Sequence, residues 1–269
     1  MDRTDPKERL EVLLRVVGIH DFERVFVTVD VALFLRQGLR MTTPGLLSYA
    51  LADSIATITM DDGKANVMSE LMLHALHVAF DRAESEADVV LLTGRKGLFS
   101  GGYDLAMFKT SREQIQRTLR SGGELVHRML GFPRPIVAAC SGHAVAQGAF
   151  MLLAADVRIG VLGDRKIGLN EVAIGLTVPF YGVELARQRL SPPWFNHALC
   201  TGTIYGPEAG LAAGFLDRLV AAEELATVAS EEARRLTNIN LPAHVATKRR
   251  VRASALAAMR AGIDEEFPA

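Results

Sequence analysis

The sequence predicts an α/β fold with stacked sheet layers, and three observations support this prediction. Two short apolar runs, VVLLTG at 89–94 and IVAAC at 136–140, are typical of strands buried on both faces of a sheet. SIATITM at 54–60 alternates apolar and polar residues like a half-buried strand. Between these runs, apolar residues recur at helical spacing, so strands and helices follow one another along the chain.

The helices begin at recognisable caps. Ser69 is placed to cap a helix that runs through FDRAE, and Glu70 in its first turn suits the helix dipole. TSRE at 110–113 is a capping box that predicts a second helix, which ends near Leu130 before GFPRP. A further strand is predicted at VRIG, 157–160, and the last third is expected to be helical. The predicted C-terminal helices are VELARQRL, PPWFNHALC, GPEAGLAAGF, AEELATVASEEARRLTNI and HVATKRRVRASALAAMRAGI.

A composition break near Met41 divides the chain. Residues 1–40 form an N-terminal extension of unknown role, and two interpretations stay open. The extension is either an additional structural layer or an upstream read-through from an earlier start codon, with Met41 the native initiator. Residues 41–269 are expected to form the main domain, with a core at 41–190 and a helical C-terminal part at 191–269.

Composition excludes several function classes. The 269 residues carry 30 Lys and Arg against 31 Asp and Glu, so the net charge of −1 creates no global field that would recruit nucleic acid or an anionic membrane. No uninterrupted apolar stretch reaches the roughly 20 residues of a membrane helix. The two cysteines, Cys140 and Cys200, are expected to be reduced, which favours a cytoplasmic protein. His74 and His77 lack a third ligand, so no metal site is predicted.

Two glycine-bearing turns follow buried strands. They are FSGGYDL at 99–105 and SGHAVAQG at 141–148, and each joins a strand to the start of a helix. Backbone N–H groups at a helix start lack intrahelical partners and lie at the positive end of the helix dipole. If the two turns face one another they form an oxyanion hole, in which each donor is worth about 3 to 4 kcal/mol. A single glycine after a strand is also compatible with an ordinary turn.

The turns belong to a longer series of motifs. FSGGYDL, ACSGHAVAQGAFMLLAADVRIG, IGLNEVAIGLTVP, TGTIYGPEAGLAAGFLDRLV and ATK follow one another as in the enoyl-CoA hydratase/isomerase (crotonase) superfamily, which the chain resembles over about residues 47–262. The resemblance implies a crotonase-like spiral of ββα units, with a helical C-terminal trimerisation region. It also implies a homotrimer or a dimer of trimers.

The same resemblance implies the chemistry. The substrate would be an acyl-CoA or enoyl-CoA thioester, and coenzyme A would enter as part of that substrate, with no separate cofactor. The backbone N–H groups of Tyr103 and Gln147 would hold the thioester oxygen of an enolate, and Glu171 would act as acid and base. Gln147 departs from the glycine that the family usually has there. Its side chain is expected either to contact the ligand or to point away into a polar pocket.

Phe150 is the more informative departure. In hydratases this position usually supplies a second catalytic glutamate, and a phenylalanine cannot move a proton. Double-bond isomerisation needs one base that takes a proton at one carbon and returns it at another, so a single carboxylate favours it. Desolvation beside Phe150 is expected to raise the pKa of Glu171.

Further residues are expected to contact the substrate because they match positions in the family motifs. Asp104 is alternatively the cap of the next helix, and Lys248 alternatively lies with Arg249, Arg250 and Arg252 on a solvated helix face. Asp156 is interpreted as a buried structural acid. The expected substrate-binding residues are Lys64 and Ala65 on the pantetheine and adenine path, Ser100, Gly102, Asp104, Gly148 and Phe150 around the turns, and Lys248 near the phosphates.

Three functions therefore remain open on the sequence. Enoyl-CoA isomerisation is favoured by the single carboxylate. Enoyl-CoA hydration, with weak activity, is the nearest alternative within the same class of enzyme, and assays with 2-enoyl and 3-enoyl thioesters separate the two. A non-catalytic acyl-CoA binding protein is the alternative from another class, and it predicts binding without turnover.

Overall fold

The computed structural model describes residues 45–268. The expectations for residues 1–40, including the two interpretations of Met41, lie outside the described residues. The described strands are β1 Leu47–Ala52, β2 Ile55–Met60, β3 Val89–Gly94, β4 Gly97–Ser100, β5 Ile136–Cys140, β6 Gly142–Val145, β7 Val157–Val161, β8 Ile167–Gly168, β9 Ile204–Tyr205 and β10 Arg218–Val220. The described α-helices are α1 Glu70–Glu86, α2 Arg112–Gly131, α3 Gln147–Ala154, α4 Phe180–Arg189, α5 Pro192–Thr201, α6 Pro207–Ala213, α7 Leu225–Leu236 and α8 Leu241–Glu266.

The strands form two mixed sheets. The six-stranded sheet has the order β1-β2-β3-β5-β7-β10, in which β1 runs antiparallel to β2 and all other neighbours are parallel. The four-stranded sheet has the order β4-β6-β8-β9, in which β8 and β9 are antiparallel. The prediction of an α/β fold is confirmed.

Most of the predicted elements are observed at the expected places. β3 and β5 are almost entirely buried, and the exposure of β2 alternates along the strand. The Ser69 hydroxyl accepts a hydrogen bond from the Met72 amide at the start of α1, as the capping pattern predicts. The start of α2 differs by one position, because Ser111 is the cap and accepts from the Gln114 amide instead of Thr110.

Several short strands were not anticipated. β6 and the last two residues of β4 lie inside the segments that the sequence predicts as turns, and β9 and β10 lie in the part predicted to be helical. β8 and β9 have two residues each and β10 has three, which is too short for a repeating pattern. In the β4–β6 pair, Gly142 needs to be glycine because a Cβ there would lie 1.9 Å from the carbonyl group of Gly97.

Two hydrophobic clusters cover the two faces of the large sheet. The larger cluster contains Val90 and Leu92 of β3 and packs beneath α1, α2 and α3. The smaller one contains their neighbours Val89 and Leu91 and packs beneath α7. Successive residues of β3 thus enter different clusters, as expected for a strand buried on both faces. Among the described residues, no helix combines the length and apolar character that crossing a membrane requires.

Candidate active site

The two glycine-bearing turns lie against each other. Gly102, in the turn after β4, has a φ of +89°, which favours glycine. A Cβ on Gly102 would lie 2.9 Å from the Val145 carbonyl oxygen, 2.9 Å from the Ala146 Cβ and 3.5 Å from the Gln147 nitrogen. The backbone of the first turn therefore contacts the start of α3 directly, which only a residue without a side chain permits. The expected convergence of the two turns is observed.

The backbone between β6 and α3 is strained at Ala146, which caps α3 with a φ of 52° and a ψ of −121°. A non-glycine residue in this conformation is costly, and such residues concentrate at functional sites. The first hydrogen bond of α3 runs from the Phe150 amide to the Ala146 carbonyl, so the Gln147 amide precedes the helical ladder. The Tyr103 amide donates to no acceptor among residues 45–268. Neither amide is thus committed to an acceptor in the described chain, and their binding of a thioester oxygen stays a prediction.

The Gln147 side chain is fully buried and hydrogen-bonded within the protein. Its Nε2 donates to the Gly122 carbonyl oxygen over 2.8 Å, and its Oε1 accepts from the Tyr181 hydroxyl over 3.3 Å. Of the two expectations for this side chain, the one in which it points into a polar pocket is observed. A glutamine therefore fits at this position without occupying the site of a ligand.

A largely apolar cavity of about 320 Å³ opens beside the two turns. Its wall includes Tyr103 and Ala146 from the turns together with Phe150 and Glu171. A small number of polar groups in an apolar pocket is the usual composition of a small-molecule site. The remaining lining residues are Gly101, Leu105, Phe108, Leu119, Asn170, Ile174, Leu176, Thr177, Pro179, Tyr181, Glu266 and Phe267.

Glu171 is the cavity carboxylate with a buried oxygen that lacks a partner in the described chain. The residue is 7% exposed, and its Oε2 has no hydrogen-bond partner among residues 45–268. Burial raises the pKa of Glu171 to about 7 from its ordinary value of 4.5, although a hydrogen bond from its own backbone amide opposes that rise. A carboxyl group with this pKa is able to take up and release protons near neutral pH. Phe150, which is 1% exposed, adds apolar surface to the same cavity.

Two of the expected substrate-binding residues instead connect the two turns behind the cavity. Ser100 is fully buried, and its hydroxyl donates to the Asn66 carbonyl oxygen over 2.7 Å and accepts from the Gly102 amide over 3.2 Å. A Cβ on Gly148 would lie 2.6 Å from the Ser100 carbonyl oxygen. Neither residue lines the cavity. Both residues hold the turns together in this structure, and their contact with substrate stays a prediction.

The other expected binding residues near the first turn have varied positions. The Asp104 carboxylate accepts from the Ala106 amide over 2.9 Å and caps the 3₁₀ helix Leu105–Lys109, so the alternative interpretation as a cap is observed. The Ala65 carbonyl oxygen accepts from the Gly101 amide over 2.9 Å, which places the DGKAN loop beside the first turn. Lys64 is exposed on this loop, and its predicted path along coenzyme A stays a prediction.

Lys248 does not reach the cavity. Its Nζ donates to the Asp156 carboxylate over 2.7 Å, and Arg252 binds the other Asp156 oxygen over 2.9 Å. Burial lowers the pKa of Lys248 to about 8, with Asp156 acting in the opposite direction. The charge is thus committed to a buried ion pair, and the contact of Lys248 with coenzyme A phosphates stays a prediction. Asp156 also accepts from the Ile136 amide over 2.8 Å, so its interpretation as a structural acid is confirmed.

Four polar lining residues are not indicated by the sequence analysis: Asn170 and Thr177, which lie in the IGLNEVAIGLTVP motif, and Tyr181 and Glu266, which lie in helices. Tyr181 in α4 is fully buried, and Glu266 at the end of α8 accepts from the Phe180 amide over 2.8 Å. Both come from helices far from the glycine-bearing motifs, so no local pattern indicates them. The one available signal was the pair Gly122 and Gly123 in the middle of a predicted helix, because glycine weakens a helix and needs a packing reason.

Comparisons with known proteins identify the family and the fold. Residues 51–266 match the family model described as "Enoyl-CoA hydratase/isomerase". An enoyl-CoA hydratase/isomerase family protein from Pseudomonas syringae is 45% identical, with a TM-score of 0.81 over 82% of this chain and 96% of its own. A Mycobacterium tuberculosis protein, described as an enoyl-CoA isomerase in one structure and a probable enoyl-CoA hydratase in another, is 41% identical with a TM-score of 0.79. The first of its structures covers 82% of this chain and 96% of its own.

A more distant relative covers a similar part of the chain. A probable enoyl-CoA hydratase from Mycobacterium bovis is 27% identical over 235 residues, which are 84% of this chain and 85% of the relative. The family model alone matches well over half of the sequence, and the fold and cavity are consistent with that match. The chain therefore belongs to the enoyl-CoA hydratase/isomerase family of the crotonase superfamily and is an enzyme of that class.

Proposed function

We propose that this enzyme moves the double bond of an enoyl-CoA thioester, with Glu171 as its single acid and base and the Tyr103 and Gln147 amides as its oxyanion hole. The observation that supports it best is the cavity itself. Glu171, whose Oε2 has no partner in the described chain, lines the same cavity as Tyr103 and Ala146 of the two turns, while Phe150 stands where hydratases of the family have a second glutamate.

Glu171 is preferred over Glu266 as the base. Both carboxylates line the cavity, and burial raises the pKa of each. However, Oε2 of Glu266 is engaged by the Phe180 amide at the start of α4, where the helix dipole also favours a negative charge. Glu171 Oε2 lacks any such partner in the described chain, so it is the oxygen that a substrate C–H can approach.

The reaction proceeds through a dienolate. Glu171 removes a proton from C2 of a 3-enoyl thioester, and the C–H electrons form a C1=C2 bond while the thioester C=O electrons move to its oxygen. The two backbone amides bind this oxyanion, and stabilisation of the developing charge lowers the barrier. Glu171 then returns the proton to C4, the electrons shift back, and a 2-enoyl thioester leaves. No net gain or loss of atoms occurs.

Hydration is the second candidate, because two of the relatives are described as probable hydratases. Addition of water across a 2-enoyl thioester is helped by two carboxylates that hold the water, and Phe150 cannot supply one. Weak hydration beside faster isomerisation is therefore expected. An acyl-CoA binding protein without turnover is the remaining alternative.

The decisive experiment measures turnover of 3-enoyl and 2-enoyl thioesters by the intact protein and by Glu171→Gln. Loss of a general acid and base lowers turnover by about 10² to 10⁴-fold, so we expect Glu171→Gln to lose about 10³-fold in kcat on 3-enoyl substrates. Glu223→Gln is the matched control, because Glu223 is exposed and lies outside the cavity. Unchanged turnover in Glu171→Gln would remove Glu171 from the mechanism, and tight binding with no turnover of any thioester by the intact protein would favour the binding protein.

Assembly is proposed on the family resemblance. We expect a homotrimer or a dimer of trimers in solution, and light scattering combined with size-exclusion chromatography measures the mass directly. A monomer at micromolar concentration would contradict this expectation.

A further inference from the structure

One phenol hydroxyl contacts the side chains of both proposed oxyanion-hole residues. Tyr181 Oη lies 3.2 Å from Tyr103 Oη and 3.3 Å from Gln147 Oε1. Tyr103 belongs to the turn after β4, Gln147 to the turn before α3, and Tyr181 to a third element, α4. Two residues that are 44 positions apart in sequence are thus connected through a single buried group.

The donor and the acceptor can be assigned in each hydrogen bond between Tyr103, Tyr181 and Gln147. The Gln147 Nε2 donates to the Gly122 carbonyl oxygen, so Oε1 is the group that faces Tyr181, and a carbonyl oxygen only accepts. Tyr181 must therefore donate to Gln147, and Tyr103 must donate to Tyr181. Burial raises the pKa of both phenols, so both keep the protons that these bonds need.

The helix that packs on these two rings is built to accommodate them. Gly122 and Gly123 are adjacent residues in the 20-residue helix α2. A Cβ on Gly122 would lie 1.9 Å from Tyr103 Oη, and a Cβ on Gly123 would lie 3.0 Å from the Tyr181 ring. Glycine is the poorest helix former after proline, so two in succession indicate a packing requirement. Here the requirement is the space for the two phenols.

We propose that Tyr181 is a positioning residue that fixes the Tyr103 and Gln147 backbone amides relative to each other. This inference rests on the proposed function, because it assigns those amides to the thioester oxygen. An oxyanion hole acts through donors that are already aligned before the reaction, so a small loss of alignment weakens the transition state more than the ground state. Tyr181 itself contacts neither the reacting carbons nor the oxyanion in this mechanism.

Tyr181→Phe tests the proposal because it removes the hydroxyl and keeps the ring, which packs edge-on against Phe150 at 5.8 Å and near Phe267 at 6.3 Å. We expect kcat on a 3-enoyl thioester to fall about 10 to 100-fold while KM changes by less than about threefold. The second readout is the ultraviolet enolate band of bound acetoacetyl-CoA, which reports how strongly the hole favours an oxyanion. That band should weaken in Tyr181→Phe.

Tyr205→Phe is the matched control. The Tyr205 ring is also buried and its hydroxyl is bonded to His197 Nδ1 over 2.7 Å, but the residue lies outside the cavity. Its kcat and enolate band should stay as in the unmodified enzyme. If Tyr181→Phe loses turnover while its enolate band is unchanged, the role is structural and the proposal is wrong.

A double-mutant cycle separates action through Gln147 from a general loosening. Gln147→Met keeps the backbone amide and removes the side-chain partner of Tyr181. If Tyr181 acts through Gln147, the double variant should lose little more than the worse single variant. Fully additive losses would overturn this part of the proposal.

Tyr103→Phe keeps the inference testable if Tyr181→Phe does not fold. It removes the first donor of the same chain, and a smaller loss in kcat with a weaker enolate band is expected. Wild-type rates in every hydroxyl variant, together with an inactive Glu171→Gln enzyme, would overturn the positioning role and leave the proposed function standing. An intact enzyme with neither turnover nor an enolate band would overturn both.

Discussion

Glu171 and Asp156 are both largely buried acids, yet their surroundings are opposite. Asp156 has every oxygen engaged, by the Ile136 amide, Lys248 and Arg252. Glu171 has an oxygen without a partner in the described chain and lies against apolar cavity wall, which raises its pKa to about 7. The difference teaches that burial alone does not identify a reactive group. A satisfied buried charge holds structure, whereas an unsatisfied one at a cavity is available for chemistry.

The largest expected effect concerns Asp156. Asp156→Ala leaves the buried cations Lys248 and Arg252 without their shared partner, and breaking a buried pair in this way costs about 3 to 5 kcal/mol. The free energy of unfolding, measured by urea denaturation, should fall by that amount. Asp164→Ala, at an exposed position, is the control and should change it by less than about 0.5 kcal/mol. A loss below about 1 kcal/mol for Asp156→Ala would contradict the structural role of this cluster.

Glu171→Gln should have the opposite sign in the same measurement. The folded-state pKa of Glu171 is about 7, above its ordinary 4.5, so folding favours the protonated form. That favourable contribution is complete below about pH 4.5 and is lost as pH rises through about 7, and the shift corresponds to roughly 3 kcal/mol. Glu171→Gln should therefore leave stability unchanged at pH 4 and raise it by about 2 to 3 kcal/mol at pH 8.5. Equal effects at both pH values would contradict the raised pKa.

The pH dependence of activity follows from the same group. The proposed base must be ionised, so kcat/KM on a 3-enoyl thioester should rise about tenfold per pH unit below 7 and level off above it. The measurement is a pH profile of initial rates, with stability checked at each pH by circular dichroism. A profile that is flat between pH 5 and 8 would show that another group limits the reaction.

The smallest effect is expected at a partly exposed acid. Glu232 pairs with Arg235 on the surface of α7 over 2.6 Å, and surface pairs of this kind contribute about 0 to 1 kcal/mol. Glu232→Gln should lower the free energy of unfolding by less than about 0.5 kcal/mol and leave kcat unchanged. If Glu232→Gln lowered the free energy of unfolding as much as Asp156→Ala, burial would not explain why the two acids differ in their contribution to stability.

The sequence predicts well those parts of the fold that repeat over several residues. β3 and β5 are uniformly apolar and α1 begins at a strong cap, so their bounds are close to the observed ones. β8 and β9 have two residues each, and their strand conformation depends on pairing with distant segments. Such tertiary pairings have no local signature.

In the candidate active site, too, some residues have a local sequence signature and others do not. The two turns and Glu171 lie in motifs that carry the family resemblance, and the cavity brings the turns and this carboxylate together. Tyr181 and Glu266 enter the cavity from α4 and α8, where only the packing of helices decides which side chain faces inward. The ion pair of Lys248 with Asp156 likewise has no local signature, because a basic stretch on a helix does not indicate a buried carboxylate opposite one of its residues.

The long helix α8 runs from the Asp156 ion pairs to the cavity that Glu171 lines. Lys248 and Arg252, near the start of α8, form ion pairs with Asp156, while Glu266 at its end forms part of the cavity wall. At 1.5 Å per residue, the stretch from Lys248 to Glu266 is a rod about 27 Å long. The ion pairs that fix α8 at Asp156 therefore also help to hold Glu266 in the cavity wall. The stability of the fold and the shape of the proposed active site thus depend on the same helix.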